Sequence, residues 1–276
     1  MSPGALFRSA LQSERPLQVV GAINAYAALL AERAGFHALY VSGAGVANHS
    51  RGLPDTGLTT VDDVATDVRR ITGRSKLPVL VDIDTGWDDP AATVRAMASA
   101  GAAAVHIEDQ VAAKLCGHLP GKQLVPADEM MGRVKSAVAG RPDPSFVVMA
   151  RTDAAAVEGL PAAMARAQAY VRAGADMIFA EALTSLDDYR TFARAVPAPV
   201  LANLTEFGKT PAFSLTELGA AGIALVLYPL SASRAAASAS LDVYRTIRRD
   251  GSATASLGKM QTRAELYDIL GYQPPK

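Results

Sequence analysis

The sequence predicts a closed (β/α)8 barrel of the TIM type, an α/β fold, on three observations. Short apolar, strand-like runs alternate with helix-prone segments eight times along the chain, and such alternation makes a parallel sheet. The 276 residues match the size at which α/β barrels form one undivided domain. Polar side chains also gather at the C-terminal ends of the apolar runs, where barrels of this kind carry their chemistry. The alternative is a doubly wound open sheet. A glycine-rich phosphate turn after the first strand would favour it, and Gly21-Ala22-Ile23-Asn24 is not one. No shift in composition marks a boundary, so residues 1–276 are expected to form a single barrel domain, with 231–276 as its C-terminal helical extension.

The elements follow in order. Residues 17–22 form the first strand and the alanine-rich 24–34 the first helix. The second strand, 38–41, ends in Ser42-Gly43-Ala44-Gly45; a polar loop, 48–59, carries Asp55, and 61–71 has helical periodicity. The third strand, 78–81, ends in Asp82-Ile83-Asp84, and the helix 90–100 stops at Gly101. The fourth, 102–107, turns polar at Glu108, Asp109 and Gln110 and opens a Gly/Pro-broken loop with Lys114, Cys116, Gly117 and His118. Helix 128–139 and strand 145–150 follow, the strand ending in Arg151-Thr152-Asp153. Helix 161–173 leads to strand 176–179 and Glu181, and helix 186–196 to strand 200–202 and Asn203-Leu204-Thr205. Leu215–Ala220 is a short helix, 223–227 the eighth strand, 231–249 a long helix and 261–270 the last one.

Composition narrows the function. Half of the residues are hydrophobic, enough for a sizeable core, and 27 basic side chains balance 27 acidic ones. That balance argues against nucleic acid or a polybasic membrane surface as partner. One cysteine allows no internal disulfide and fits a reducing, cytoplasmic setting. No apolar run is long enough for a transmembrane helix, and residues 1–16 lack the apolar stretch of a secretory signal.

The strand ends bring together Ser42, Asp82, Asp84, Glu108, Arg151, Glu181 and Asn203. A single strand-ending Asp is commonly a turn or cap residue; a polar residue on six strand ends is not explained by turns alone. Asp82 and Asp84, two apart on an extended segment, would both face the mouth and join Glu108 in an acidic cluster. Such charges repel unless a cation is present. No thiol–imidazole cluster accompanies them, so Mg2+ or Mn2+ suits the set better than Zn2+. Arg151 and Arg234 offer planar forks for substrate carboxylates, though a surface ion pair is the ordinary role of an arginine such as Arg234. Backbone N–H groups around Gly43 and Gly117 would bind further oxygens. A metal with several anion anchors makes a site for a small polycarboxylate. Cys116, between Lys114 and His118, sits where a thiolate or poised proton donor is stabilised; the role of His118 is left open.

Lys114-Leu115-Cys116-Gly117-His118 resembles the KxCGH signature of the isocitrate lyase / phosphoenolpyruvate mutase superfamily. The resemblance runs from about Gly21 to Tyr272 and takes in Leu53-Pro54-Asp55, the 82–86 turn, His106-Ile107-Glu108-Asp109-Gln110, Ala150-Arg151-Thr152-Asp153-Ala154, Asn203-Leu204-Thr205-Glu206 and Met260-Gln261-Thr262-Arg263. The stretches around Asn203, Tyr228 and Gln261 look most like the 2-methylisocitrate lyases, which yield pyruvate and succinate in propionate breakdown. Ala44, Leu115 and Trp87-Asp88-Asp89 depart from their pattern. The resemblance implies that Asp82 binds Mg2+, with Asp84 and Glu108 reaching it directly or through water and Asp55 farther out. It implies that Ser42, Gly43, Ala44, Gly117, Arg151, Glu181, Asn203, Leu204, Thr205, Arg234 and Arg263 hold substrate. The implied catalytic set is Cys116, Lys114, His118 and Arg151, with Cys116 as the general acid. The implied assembly is a homotetramer, a dimer of dimers, with a C-terminal helix exchanged between subunits. Related lyases acting on 2,3-dimethylmalate, isocitrate or oxaloacetate, and a barrel that binds a carboxylate without turnover, are the competing readings.

Overall fold

Eight parallel strands close into a barrel in chain order: β1 (Leu17–Gly21), β2 (Ala38–Val41), β3 (Val79–Asp82), β4 (Ala104–Glu108), β5 (Val147–Thr152), β6 (Met177–Ala180), β7 (Val200–Asn203) and β8 (Leu225–Tyr228). The computed structural model describes residues 1–112 and 121–273. Val20 lies opposite Tyr228, which closes β1 onto β8. Strand residues are buried almost throughout, as expected where helices cover one face of a parallel sheet and packed side chains fill the other.

The outer ring is made by α2 (Ala25–Arg33), α4 (Val61–Thr72), α5 (Pro90–Ser99), α6 (Ala127–Ala139), α7 (Leu160–Arg172), α8 (Leu186–Ala195), α9 (Leu215–Ala220) and α10 (Ser231–Asp250), with α11 (Arg263–Leu270) beyond it. Local sequence sets many of their starts. The Asn24 carboxamide accepts from Ala27 N at 2.8 Å. Asp89 caps α5 just ahead of Pro90, a position where proline's missing N–H costs nothing. Reciprocal capping boxes pair Thr60 with Asp63, Ser214 with Glu217 and Thr262 with Glu265. No helix among the described residues is long and apolar enough to cross a membrane.

Two departures from expectation matter. Residues Pro3–Ser13 form a helix, α1, capped by Ser2. It covers the N-terminal ends of the strands: Phe7 is fully buried and packs with Leu17, Val19, Leu80 and Leu201. Arg8 donates to Ser145 O and to Asp176 Oδ1, both at 2.8 Å. A Cβ at Gly4 would stand 2.6 Å from Phe146 N, so only glycine permits this approach. The second departure is that six of the eight strands run one or two residues further than their apolar runs suggest. Their terminal polar residues belong to the ladder: Asp82 pairs with His106, and Glu108 with Arg151.

Candidate active site

Because side chains alternate along a strand, each inward row can be followed from floor to mouth. Leu80 leads to Asp82, Ala104 to His106 and Glu108, Val147 to Met149 and Arg151, Met177 to Phe179 and Glu181, and Leu201 to Asn203. The lower members form the apolar barrel interior. The middle layer stacks Tyr40 on His106, ring centroids 5.7 Å apart, with Phe179 edge-on to His106 at 5.1 Å. Charged and amide groups form the top. Sequence reading gave no site role to Tyr40, His106 or Phe179. Counting back in twos from Ser42, Glu108 and Glu181 finds all three.

At the mouth Asp82 and Asp84 are both buried, by a geometry other than the expected extended segment. The strand ends at Asp82, and Asp84 sits in a turn at φ +47°, a region that Asp tolerates better than most residues. Asp84 N donates to Asp82 Oδ1 at 3.0 Å, and Gly43 N to Asp82 Oδ2 at 3.1 Å. A Cβ at Gly43 would stand 3.1 Å from Asp82 Oδ2 and 3.1 Å from Asp84 Oδ1. Glycine therefore leaves open the small space on which two carboxylates converge. An all-oxygen donor set of this kind fits a hard divalent cation that keeps several of its waters. Among the described residues no three His, Cys, Asp or Glu side chains are grouped so that they could by themselves hold a metal ion. The Tyr40 hydroxyl lies 2.9 Å from His106 Nε2 and 3.4 Å from Asp82 Oδ2; burial, then Asp82, raises its pKa well above the usual tyrosine value.

Arg151 is the buried cation facing this cluster. Its Nε donates to Asp153 Oδ2 at 3.0 Å and its Nη2 to Asp153 Oδ1 at 3.2 Å. Glu108 lies 3.4 Å from Nη1, Glu181 3.8 Å from Nε, and the Phe179 ring 5.2 Å from the guanidinium carbon. Burial works against this charge, but Asp153, Glu108 and Glu181 outweigh it and hold the group firmly protonated. Behind it, Asp109 is fully buried. It accepts from Thr152 Oγ1 at 2.7 Å, Asp153 N at 2.9 Å and the Tyr170 hydroxyl at 2.9 Å. Burial raises the Asp109 pKa against these bonds.

The expected residues are placed unequally. Gly43, Asp82, Asp84, Glu108, Arg151, Glu181 and Asn203 share the mouth, and Asn203 Nδ2 lies 3.4 Å from Glu181 Oε2. Ser42 precedes a short helical turn, α3 (Gly43–Gly45), that carries Ala44; a π-helical turn, Val46–Ser50, continues it into the loop with Asp55. Leu204 is buried, its N–H bonded to Leu227 O at 2.8 Å, and Thr205 is half-buried beside it. Arg234 binds the Glu206 carbonyl and covers the exposed Phe207 ring. Arg263 is exposed on α11, which packs against α2; among the described residues no hydrogen bond or ion pair links it to the mouth. Lys114, Cys116, Gly117 and His118 lie outside the described residues. Lys122 and Asp153, absent from the expected site, are buried in it.

Comparison with known proteins agrees with this architecture. The family model described as phosphoenolpyruvate phosphomutase matches residues 7–248. A 2-methylisocitrate lyase of Shewanella oneidensis is 57% identical over 274 residues, covering 98% of this chain and 94% of that protein. The crystal structure of a 2,3-dimethylmalate lyase superposes with a TM-score of 0.91 at 34% identity, covering 98% of this chain and 92% of that one. An oxaloacetate acetylhydrolase bound to 3,3-difluorooxalacetate superposes at 0.90 with 28% identity, covering 98% and 93%.

Proposed function

The chain belongs to the phosphoenolpyruvate phosphomutase family, and from that premise we propose that it cleaves 2-methylisocitrate to pyruvate and succinate with Mg2+ or Mn2+. It is a lyase. The observation that carries the substrate class is the top layer of the barrel: Asp82, Glu108, Arg151, Glu181 and Asn203 come from the ends of five consecutive strands, β3 to β7, with Glu181 one residue past β6, onto one mouth. Two convergent carboxylates beside a buried guanidinium suit a cation and a carboxylate ligand together.

Asp82 would hold the cation, with Asp84 and Glu108 reaching it directly or through water and Asp55 farther out. A cation bound there would supply positive charge to stabilise developing oxyanion character. Arg151 anchors a substrate carboxylate through its fork, the Asn203 amide orients further oxygens, and Thr205 and Arg234 complete the recognition. A base takes the 2-hydroxyl proton, the pyruvate carbonyl forms as the adjacent C–C bond breaks, and the electron pair of that bond stays on the succinate half. Cys116 delivers the proton that quenches it, and Lys114 and His118 stabilise the thiolate that remains. The working form is a cytoplasmic homotetramer with exchanged C-terminal helices. Leu241, Tyr244 and Ile247 form an exposed apolar row at helical spacing on α10, the kind of face that needs a second packing partner.

A panel of 2-methylisocitrate, isocitrate, 2,3-dimethylmalate and oxaloacetate, each with Mg2+ and a coupled 2-oxo acid assay, tests the proposal. Highest kcat/KM for 2-methylisocitrate and loss of turnover in chelator are expected. Preference for another substrate would reassign it within the family, and carboxylate binding without turnover would make it a binding protein. Light scattering at micromolar concentration should give the tetramer mass.

A further inference from the structure

Arg151 has a problem that its own strand does not solve. A guanidinium paired with one carboxylate and flanked by two more has little positive potential left for a ligand. The Asp153 carboxylate grips it twice, at 3.0 Å and 3.2 Å. The Asp153 backbone is anchored beside Arg151: its N–H donates to Asp109 Oδ1 at 2.9 Å, and Asp109 also accepts from Thr152 and Tyr170. A second cation enters from another part of the chain. Lys122 Nζ lies 2.6 Å from Asp153 Oδ1, closer than the Arg151 Nη2 that shares this oxygen, and both side chains of the pair are sealed from solvent. The backbone holds Lys122 there: Val111 N donates to Gln123 O at 3.0 Å and Val125 N to Asp109 O at 2.9 Å, around a bridge between Gln110 and Leu124.

We propose that Lys122 is a positioning residue whose ammonium neutralises Asp153 and so leaves the Arg151 guanidinium available to a substrate carboxylate. Without Lys122, Asp153 bears on Arg151 alone in a water-poor site where charge pairs are strong. The fork is then drawn sideways, and ligand affinity falls. This inference rests on the reading of Arg151 as a carboxylate anchor.

The test compares wild type, Lys122→Met, Asp153→Asn and the double variant. It measures succinate binding by calorimetry with Mg2+ present and KM and kcat for 2-methylisocitrate, with thermal melts reporting folding. Lys122→Met should weaken succinate and raise KM on the order of tenfold, the low end for a hydrogen bond to a charged group, with kcat changed far less. Adding Asp153→Asn should restore affinity, because the competing charge is gone. A folded Lys122→Met with unchanged affinity, or a loss that Asp153→Asn does not reverse, overturns the inference. If Lys122→Met does not fold, Asp153→Asn alone decides: affinity equal to or tighter than wild type supports the proposal, and weaker binding refutes it. Wild type that binds succinate without cleaving 2-methylisocitrate refutes the proposed function only; wild type that does not bind succinate removes both.

Discussion

The two ends of the barrel treat charge in opposite ways. At the floor one carboxylate, Asp176, lies between two arginines, with Arg8 Nη2 at 2.8 Å, Arg141 Nη2 at 2.6 Å and the Val148 N–H at 2.9 Å. At the mouth one arginine, Arg151, lies among three carboxylates. The floor group is satisfied by structure alone. The mouth holds a surplus of acid that a cation can relieve and an arginine that a carboxylate ligand can engage. Strain follows the same division. Asp84, Trp87, Ala182 and Phe207, the non-glycine residues with positive φ among the described residues, all follow the C-terminal ends of strands. Unfavourable backbone persists where it serves a site, so the same inward rows provide stability below and chemistry above.

Substitutions can break or sharpen that contrast. The largest effect should come from the proposed general acid, Cys116. Cys116→Ser keeps nearly the same shape but is a far weaker acid, so single-turnover cleavage should fall by about 10²–10⁴, the range for general acid–base groups. Its melting temperature should match wild type. A trapped covalent adduct on the wild-type thiol would show a nucleophile in place of an acid. The floor should respond in the reverse sense. Phe7→Ala should cost about 3–5 kcal/mol of stability by denaturant titration while kcat/KM of the folded protein stays close to wild type. A loss of catalysis larger than the loss of folded protein would join the two ends.

The middle layer should show both effects. Tyr40→Phe removes the hydroxyl 2.9 Å from His106 Nε2 and 3.4 Å from Asp82 Oδ2. It should cost about 1–3 kcal/mol, as for a buried polar partner removed, and weaken Mg2+ binding by calorimetry. The smallest effect belongs to the outer ring. Backbone and side-chain bonds from Thr60 lower the Asp63 pKa below 3.8. Its ionised form therefore stabilises α4 above that value, and the contribution is lost as pH falls through the lower folded pKa. Asp63→Ala should cost about 1 kcal/mol near neutrality, and the deficit should shrink in melts as the pH is taken progressively below 3.8, with turnover unaffected.

What the sequence by itself determined was everything that depends on near neighbours. Short continuous apolar runs set the strands, cap residues such as Asn24, Asp89 and Ser214 set helix starts, and the polar ends at Asp82, Glu108, Arg151, Glu181 and Asn203 marked the mouth. The tertiary structure decided the partnerships. The helix α1 is short, and its apolar residue Phe7 has nothing to bury against until the floor exists; isolated helices of that length are marginal in water. The convergence of Asp84 with Asp82 came from a left-handed turn that an extended reading cannot supply. Lys122 reaches Asp153 across 31 residues and Tyr40 reaches His106 across 66. Such contacts arise from strand register and barrel closure, which are properties of the whole sheet, and local sequence carries no mark of which distant charge will face which.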